Sequence, residues 1–240
     1  MKGWSDTPAL HHLFDISEDI TNLSQTNTDI FHHLVAQLLY LSKSARPDIQ
    51  LTVSFLCTRV RGDNTDDYKN LARATKYIQG TIGLLIITSI NKSVNIKLYV
   101  DAEFAVQKDT RSHTGGLIAM GIVGAYVQSR KKNLNITGST KSEIVGIDDV
   151  LNQVIWTRYL LKDQVYNIHN NIIYQDNQRA TKLEKNGRQS ISKMNRHIHI
   201  RYYCITDRIT KQDWSVELCP SLDIIGDYFT KALQGSQLRC

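Results

Sequence analysis

The chain is poor in the features that would commit it to a membrane, a disulfide framework or a zinc scaffold. No apolar run approaches the roughly 18 residues that a membrane-spanning helix requires. Its 240 residues hold only four cysteines, Cys57, Cys204, Cys219 and Cys240, and none falls in a C-x-x-C pair. Reduced thiols are therefore expected rather than bridges. His197, His199, Cys204 and Cys219 fit no common zinc spacing. The first residues, Met1-Lys2-Gly3-Trp4-Ser5-Asp6, lack the apolar core of a signal peptide. The expected location is intracellular, with no membrane partner. Charge of one sign is limited too. The formal net charge of +6 suits a nucleic-acid partner, and equally a Lys-rich surface.

What is present is enough for a packed core: 41% of the residues are hydrophobic. The length allows one large or two small domains. Residues 1–27 are polar and irregular and read as an extended lead-in. Phe31, Leu34, Val35, Leu38, Leu39 and Leu41 then recur at helical spacings, with Thr28 or Asp29 as N-cap. Pro47 breaks the chain and opens a second helix striped by Ile49, Val53, Leu56 and Val60. A third carries Tyr68, Leu71, Ala72, Thr75 and Ile78, stopping at Gly80. The adjacent pairs His11/His12 and His32/His33 make poor metal sites, because neighbours on a helix point about 100° apart.

From about residue 82 the pattern changes. Strand-like runs occur at Leu84–Ile87, Ile96–Val100, Thr114–Met120 and Ala125–Ser129. A helix follows at 140–161, a strand at 171–175, and helices near 177–185 and 196–210. A strand at 214–218 and a last helix near 222–233 close the chain. Together these predict an α/β domain with a mixed sheet.

Four carboxylates stand out in this layout. Asp101 ends the run Ile96-Lys97-Leu98-Tyr99-Val100-Asp101, and Asp176 ends Ile172-Ile173-Tyr174-Gln175-Asp176. Glu143 opens a helical pattern in Ser139-Thr140-Lys141-Ser142-Glu143, and Asp227 lies in a late helical segment. Acids at strand ends and on facing helices can converge. Four that do cannot all stay ionised without cations, which points to metal-assisted chemistry on phosphates.

The order of elements, with acids at these positions, resembles ribonuclease H. The local sequences resemble the ribonuclease H region of copia-type retrotransposon polyproteins. The matching stretches are Tyr99-Val100-Asp101-Ala102, Arg111-Ser112-His113-Thr114-Gly115-Gly116 and Ser139-Thr140-Lys141-Ser142-Glu143. They continue with Tyr174-Gln175-Asp176-Asn177-Gln178, Arg196-His197-Ile198-His199-Ile200-Arg201-Tyr202 and Asp227-Tyr228-Phe229-Thr230-Lys231. Phe31–Leu41 and Ala45–Ile49 resemble the segment that links a reverse transcriptase palm to this region. The division expected is a lead-in at 1–27, a helical connector at 28–81 and a ribonuclease H-like domain at 82–240. The palm's own aromatic-x-Asp-Asp turn is missing, since Tyr99-Val100-Asp101-Ala102 has alanine in the last position.

The resemblance implies a ribonuclease H-like mixed sheet flanked by helices, preceded by the small all-helical connector. It implies hydrolysis of the RNA strand of an RNA–DNA hybrid with two Mg²⁺ ions, Mn²⁺ being a substitute. Asp101 would bridge both ions, Glu143 and Asp176 would complete one shell, and Asp227 the other. Ser139, Thr140, Lys141, Asn177, Gln178 and Arg179 are candidate substrate contacts, with helix capping the competing role for the polar ones. Further partners implied are the hybrid and the palm domain of the same polyprotein. The chain departs from the family at Glu103, Lys141, His199, Gly226 and Ala232. Glu103 shares a strand face with Asp101, at the rim of the site or crowding it. A nucleic-acid-binding remnant without cleavage, and a purely structural polyprotein domain, are the alternatives.

Overall fold

The computed structural model describes residues 3–15, 21–84, 93–106, 109–121, 123–133, 136, 138–186, 196–211 and 214–238. Three helices come first: α1 (Gln25–Ser44), α2 (Gln50–Arg59) and α3 (Thr65–Gly80). Helix α1 starts earlier than its apolar stripe predicts, with Ser24 rather than Thr28 or Asp29 at the N-cap. Asn22 bridges to Asn64, and the Thr65 amide donates to the Thr21 carbonyl, so the chain is already held upstream of the stripe. Pro47 opens a short 3₁₀ turn ahead of α2. Asn64 caps α3 by accepting the Asp66 and Asp67 amides, while the Asp67 carboxylate accepts the Asn64 amide, a reciprocal capping box. Ala9 and Leu13 of the lead-in are buried with Phe31, Val35, Phe55 and Leu71 between these helices.

The sheet contains β1 (Ser93–Glu103), β2 (His113–Met120), β3 (Val123–Lys131), β4 (Asn167–Gln175) and β5 (Ser215–Leu218). Its order is β3-β2-β1-β4-β5. β1, β2 and β3 pair antiparallel, whereas β1–β4 and β4–β5 are parallel. This is the predicted mixed sheet flanked by helices. The expected strand Leu84–Ile87 lies outside the described residues beyond Leu84.

Each parallel crossover carries helix: α4 (Ser139–Asp163) before β4, and α5 (Gln178–Asn186) and α6 (Arg196–Thr210) before β5. Strand alternation sends Ile96, Leu98, Val100 and Ala102 toward α4, where Ile144, Ile147, Val150 and Val154 meet them in the main core. Gly146 permits the close contact: a Cβ there would stand 3.2 Å from Val100 and Ala102. Helix α2 covers the opposite face, with Ser54 Oγ donating to the Ser129 carbonyl at 2.7 Å.

The chain does not end in the helix predicted over 222–233. A five-residue 3₁₀ turn, Ile225–Phe229, lies there instead. Its backbone is pressed onto β1 and β2 more closely than a sheathed α-helix allows.

Candidate active site

The parallel register of β1 and β4 sets the first two acids side by side. Tyr99 pairs with Tyr174, and their rings stack with centroids 4.9 Å apart. Asp101 lies two residues further along β1, and Asp176 follows directly after the end of β4, so both carboxylates come to the same end of the paired strands. The third acid arrives through glycine. A Cβ on Gly115 would stand 2.7 Å from the Gly226 carbonyl oxygen, and one on Gly226 would stand 2.8 Å from the Asp101 amide nitrogen. Neither backbone atom can yield as a side chain would. The two glycines let the turn seat directly on the strands, and Asp227 follows Gly226 into the site. One carboxylate oxygen from each of Asp101, Asp176 and Asp227 lies within 4.8 Å of the others.

Glu143 approaches from the other side of the sheet, from the first turns of α4. It is not part of that close trio, but it borders it. Its carboxylate accepts the Ala102 amide, while Oε2 is buried without a hydrogen-bond partner among the described residues. Burial holds its pKa well above the ordinary glutamate value, and the charges of Asp101 and Asp176 push it the same way. The buried cation Lys132 acts on it in the opposite sense, its Nζ donating to the Ser142 carbonyl at 2.5 Å. Burial brings the Lys132 amine down to about 8.

Burial is also the first reason that Asp176 and Asp227 titrate above the ordinary aspartate range, with Asp101 adding repulsion to both. Glu103 is half-buried at the rim and is raised by burial and then by Asp101. Two neighbours of Asp227 answer this negative charge. Thr230 Oγ1 donates to Asp101 Oδ2 in a short hydrogen bond. Lys231 Nζ sits 2.8 Å from Asp227 Oδ1 and 3.9 Å from Asp101 Oδ2.

The candidate substrate contacts separate on inspection. Asn177 Oδ1 accepts the Arg179 and Ala180 amides, so it caps α5. Ser139 and Thr140 make no cap: the N-cap of α4 is Gly138, and no side-chain bond closes it. Gln178 and Arg179 are exposed on the first turn of α5, and Lys141 is half-buried on α4. The His197 and His199 side chains lie outside the described residues. Sequence reasoning gave no separate role to Thr230 or Lys231, although the Asp227/Lys231 spacing of four within one motif was a usable signal for an ion pair. Lys132 belongs to a basic run, Arg130-Lys131-Lys132, that reads from sequence as a phosphate-facing group; its amine instead donates to the buried Ser142 carbonyl.

No protein-family model matches the chain. It is 23% identical over 200 residues to the retrovirus-related Pol polyprotein from transposon TNT 1-94 of Nicotiana tabacum, covering 83% of this chain and 15% of that protein. Against the Pol polyprotein from transposon RE1 of Arabidopsis thaliana it is 26% identical over 210 residues, 87% of this chain and 14% of that one. A solved N-terminal RNase H domain from Mycobacterium tuberculosis superposes with a TM-score of 0.40 at 10% identity, over 57% of this chain and 91% of that one. The chain thus spans about a seventh of the length of the Pol relatives it matches. Over most of its length, then, the chain is similar in sequence to a part of the retrovirus-related Pol polyproteins of plant transposons.

Proposed function

We propose that the chain is an RNA–DNA hybrid endoribonuclease module, hydrolysing the RNA strand with divalent ions held by Asp101, Asp176, Asp227 and Glu143. The observation that carries this reading is the convergence of three carboxylate oxygens within 4.8 Å, two from the ends of the adjacent parallel strands β1 and β4 and one from the Ile225–Phe229 turn. The donor set is all oxygen and anionic, which suits Mg²⁺ or Mn²⁺ rather than softer metals. Glu143 adds a buried carboxylate oxygen that meets no donor among the described residues. Bound ions of this kind acidify water and stabilise charge on a phosphate.

The rest falls to this chain's own residues. Asp101 and Asp176 supply fixed ligands because their strands are hydrogen-bonded to each other. Thr230 orients Asp101 by holding its second oxygen. Asp227 depends on the seating of its turn rather than on a helix. Ser139, Thr140, Lys141, Gln178 and Arg179 lie on the first turns of α4 and α5, the helix starts nearest the acids, and are the proposed contacts to the hybrid. Residues 28–81 act as the connector to a polymerase palm, with α2 packed on β3 and on the turn that carries Asp227.

The test is Mg²⁺-dependent cleavage of an end-labelled RNA–DNA hybrid by the purified chain beside Asp101→Asn. Cleavage by the wild type alone is expected. Equal cleavage by the variant refutes the site, and hybrid binding without cleavage by the wild type marks a silent binder.

A further inference from the structure

Lys231 places a positive charge inside the very cluster that is proposed to hold ions. Its amine is 2.8 Å from Asp227 Oδ1 and 3.9 Å from Asp101 Oδ2. Its backbone amide also donates to the Asp227 carbonyl at 2.8 Å, so the residue is folded back over the turn. The two acids are largely buried, with side chains 17% and 5% exposed, while that of Lys231 is 38% exposed and opens to solvent. An ion bound to Asp227 Oδ1 would sit about 2.0–2.1 Å from that oxygen. The ammonium and the ion would then compete for one oxygen, with like charges held within about 5 Å of each other.

We propose that Lys231 is a built-in counter-cation, which a divalent ion must displace from Asp227 as it binds. The inference rests on the proposed ion site and adds to it. The lysine lowers repulsion among the acids when they carry no ion, and it opposes ion binding. On displacement its flexible stem moves the amine outward through the exposed side of the turn.

Calorimetric titration of the full chain with Mn²⁺, alongside thermal melting in chelator, tests this without reference to activity. K231M is expected to bind Mn²⁺ roughly tenfold more tightly than the wild type and to melt lower in chelator. K231Q keeps a hydrogen-bond donor but no charge, and is expected to follow K231M. K231R keeps the charge and is expected to follow the wild type. A neutral variant with unchanged or weaker ion affinity overturns the counter-cation, since a merely structural lysine would not tighten binding when removed. A wild type that neither takes up Mn²⁺ nor gains melting temperature from it overturns instead the ion site beneath.

Discussion

The two faces of β1 put opposite demands on one strand. Ile96, Leu98, Val100 and Ala102 are sealed under α4, none more than 3% exposed. Lys97, Tyr99, Asp101 and Glu103 alternate with them and meet a stacked tyrosine, a threonine hydroxyl, a lysine and other acids. On the first face the favourable quantity is apolar area removed from water. On the second, burial works against the charges placed there and raises the titration of Asp176, Asp227 and Glu103. The dry face holds the strand straight enough for the charged face to keep its geometry. Damage on one face should therefore appear as lost stability, and damage on the other as lost ion binding.

The largest effect expected is from Asp101→Asn. Changes in groups that only support a metal ligand typically cost about 10–100-fold, so loss of the central ligand should bring Mg²⁺-dependent cleavage below about one hundredth of wild type. In chelator the variant should melt no lower than the wild type, because one of several repelling carboxylates has gone. Leu98→Ala is the mirror experiment. A buried leucine truncated to alanine costs about 2–5 kcal/mol, read from urea unfolding, while Mn²⁺ affinity measured well below the melting point should stay near wild type. A Leu98→Ala protein that is folded yet has lost its ions would show that the faces are not separable.

Glu184 sharpens the contrast, being an acid buried away from the proposed ion site. It is 1% exposed on α5, and neither carboxylate oxygen has a hydrogen-bond partner among the described residues. Burial alone raises its pKa from 4.5 to about 8. The unfolded chain releases this proton near 4.5 and the folded chain only near 8, so stability declines as pH rises through that interval. Glu184→Gln removes the burden. The variant should be more stable at pH 7 by on the order of 3 kcal/mol, with the advantage vanishing below about pH 4.5. Urea melts across pH 4 to 8 give the answer; a constant gap would mean that ionisation is not its source.

Much of this division was legible in the sequence. Alternation gave β1 its two faces, and the acids at strand ends were recognisable before the strands were paired. The α1–α3 stripes likewise match the buried Phe31, Val35, Leu56 and Leu71. What could not be read depends on approach between segments far apart in the chain. The seating of Gly226 on Asp101 turned an expected helix into a short turn. The pattern around Glu184 reads as a polar helix, and only the fold shows that this residue faces inward. Asn177 looked equally suited to capping and to substrate, and its hydrogen bonds settle on the cap.

The smallest effect concerns how the charged face is braced. His113 is fully buried, and its Nε2 lies 2.7 Å from Ser129 Oγ. Ser129 Oγ donates its one proton to the Phe229 carbonyl at 2.7 Å. It must therefore accept from the histidine, which places a proton on Nε2. Burial disfavours a second proton on the ring, lowering this histidine to about 3. The chain of bonds links β2 and β3 to the end of the turn that presents Asp227. Ser129→Ala breaks both bonds inside a dry site and should cost about 1–3 kcal/mol. Ser129→Thr keeps the hydroxyl and should recover part of it. Because the turn is tied at Phe229 and Asp227 lies two residues before it, Mn²⁺ affinity should weaken a few-fold in Ser129→Ala even where the protein is fully folded. Unchanged affinity would mean that the glycine contacts alone seat the turn, and that the brace serves stability without serving the acids.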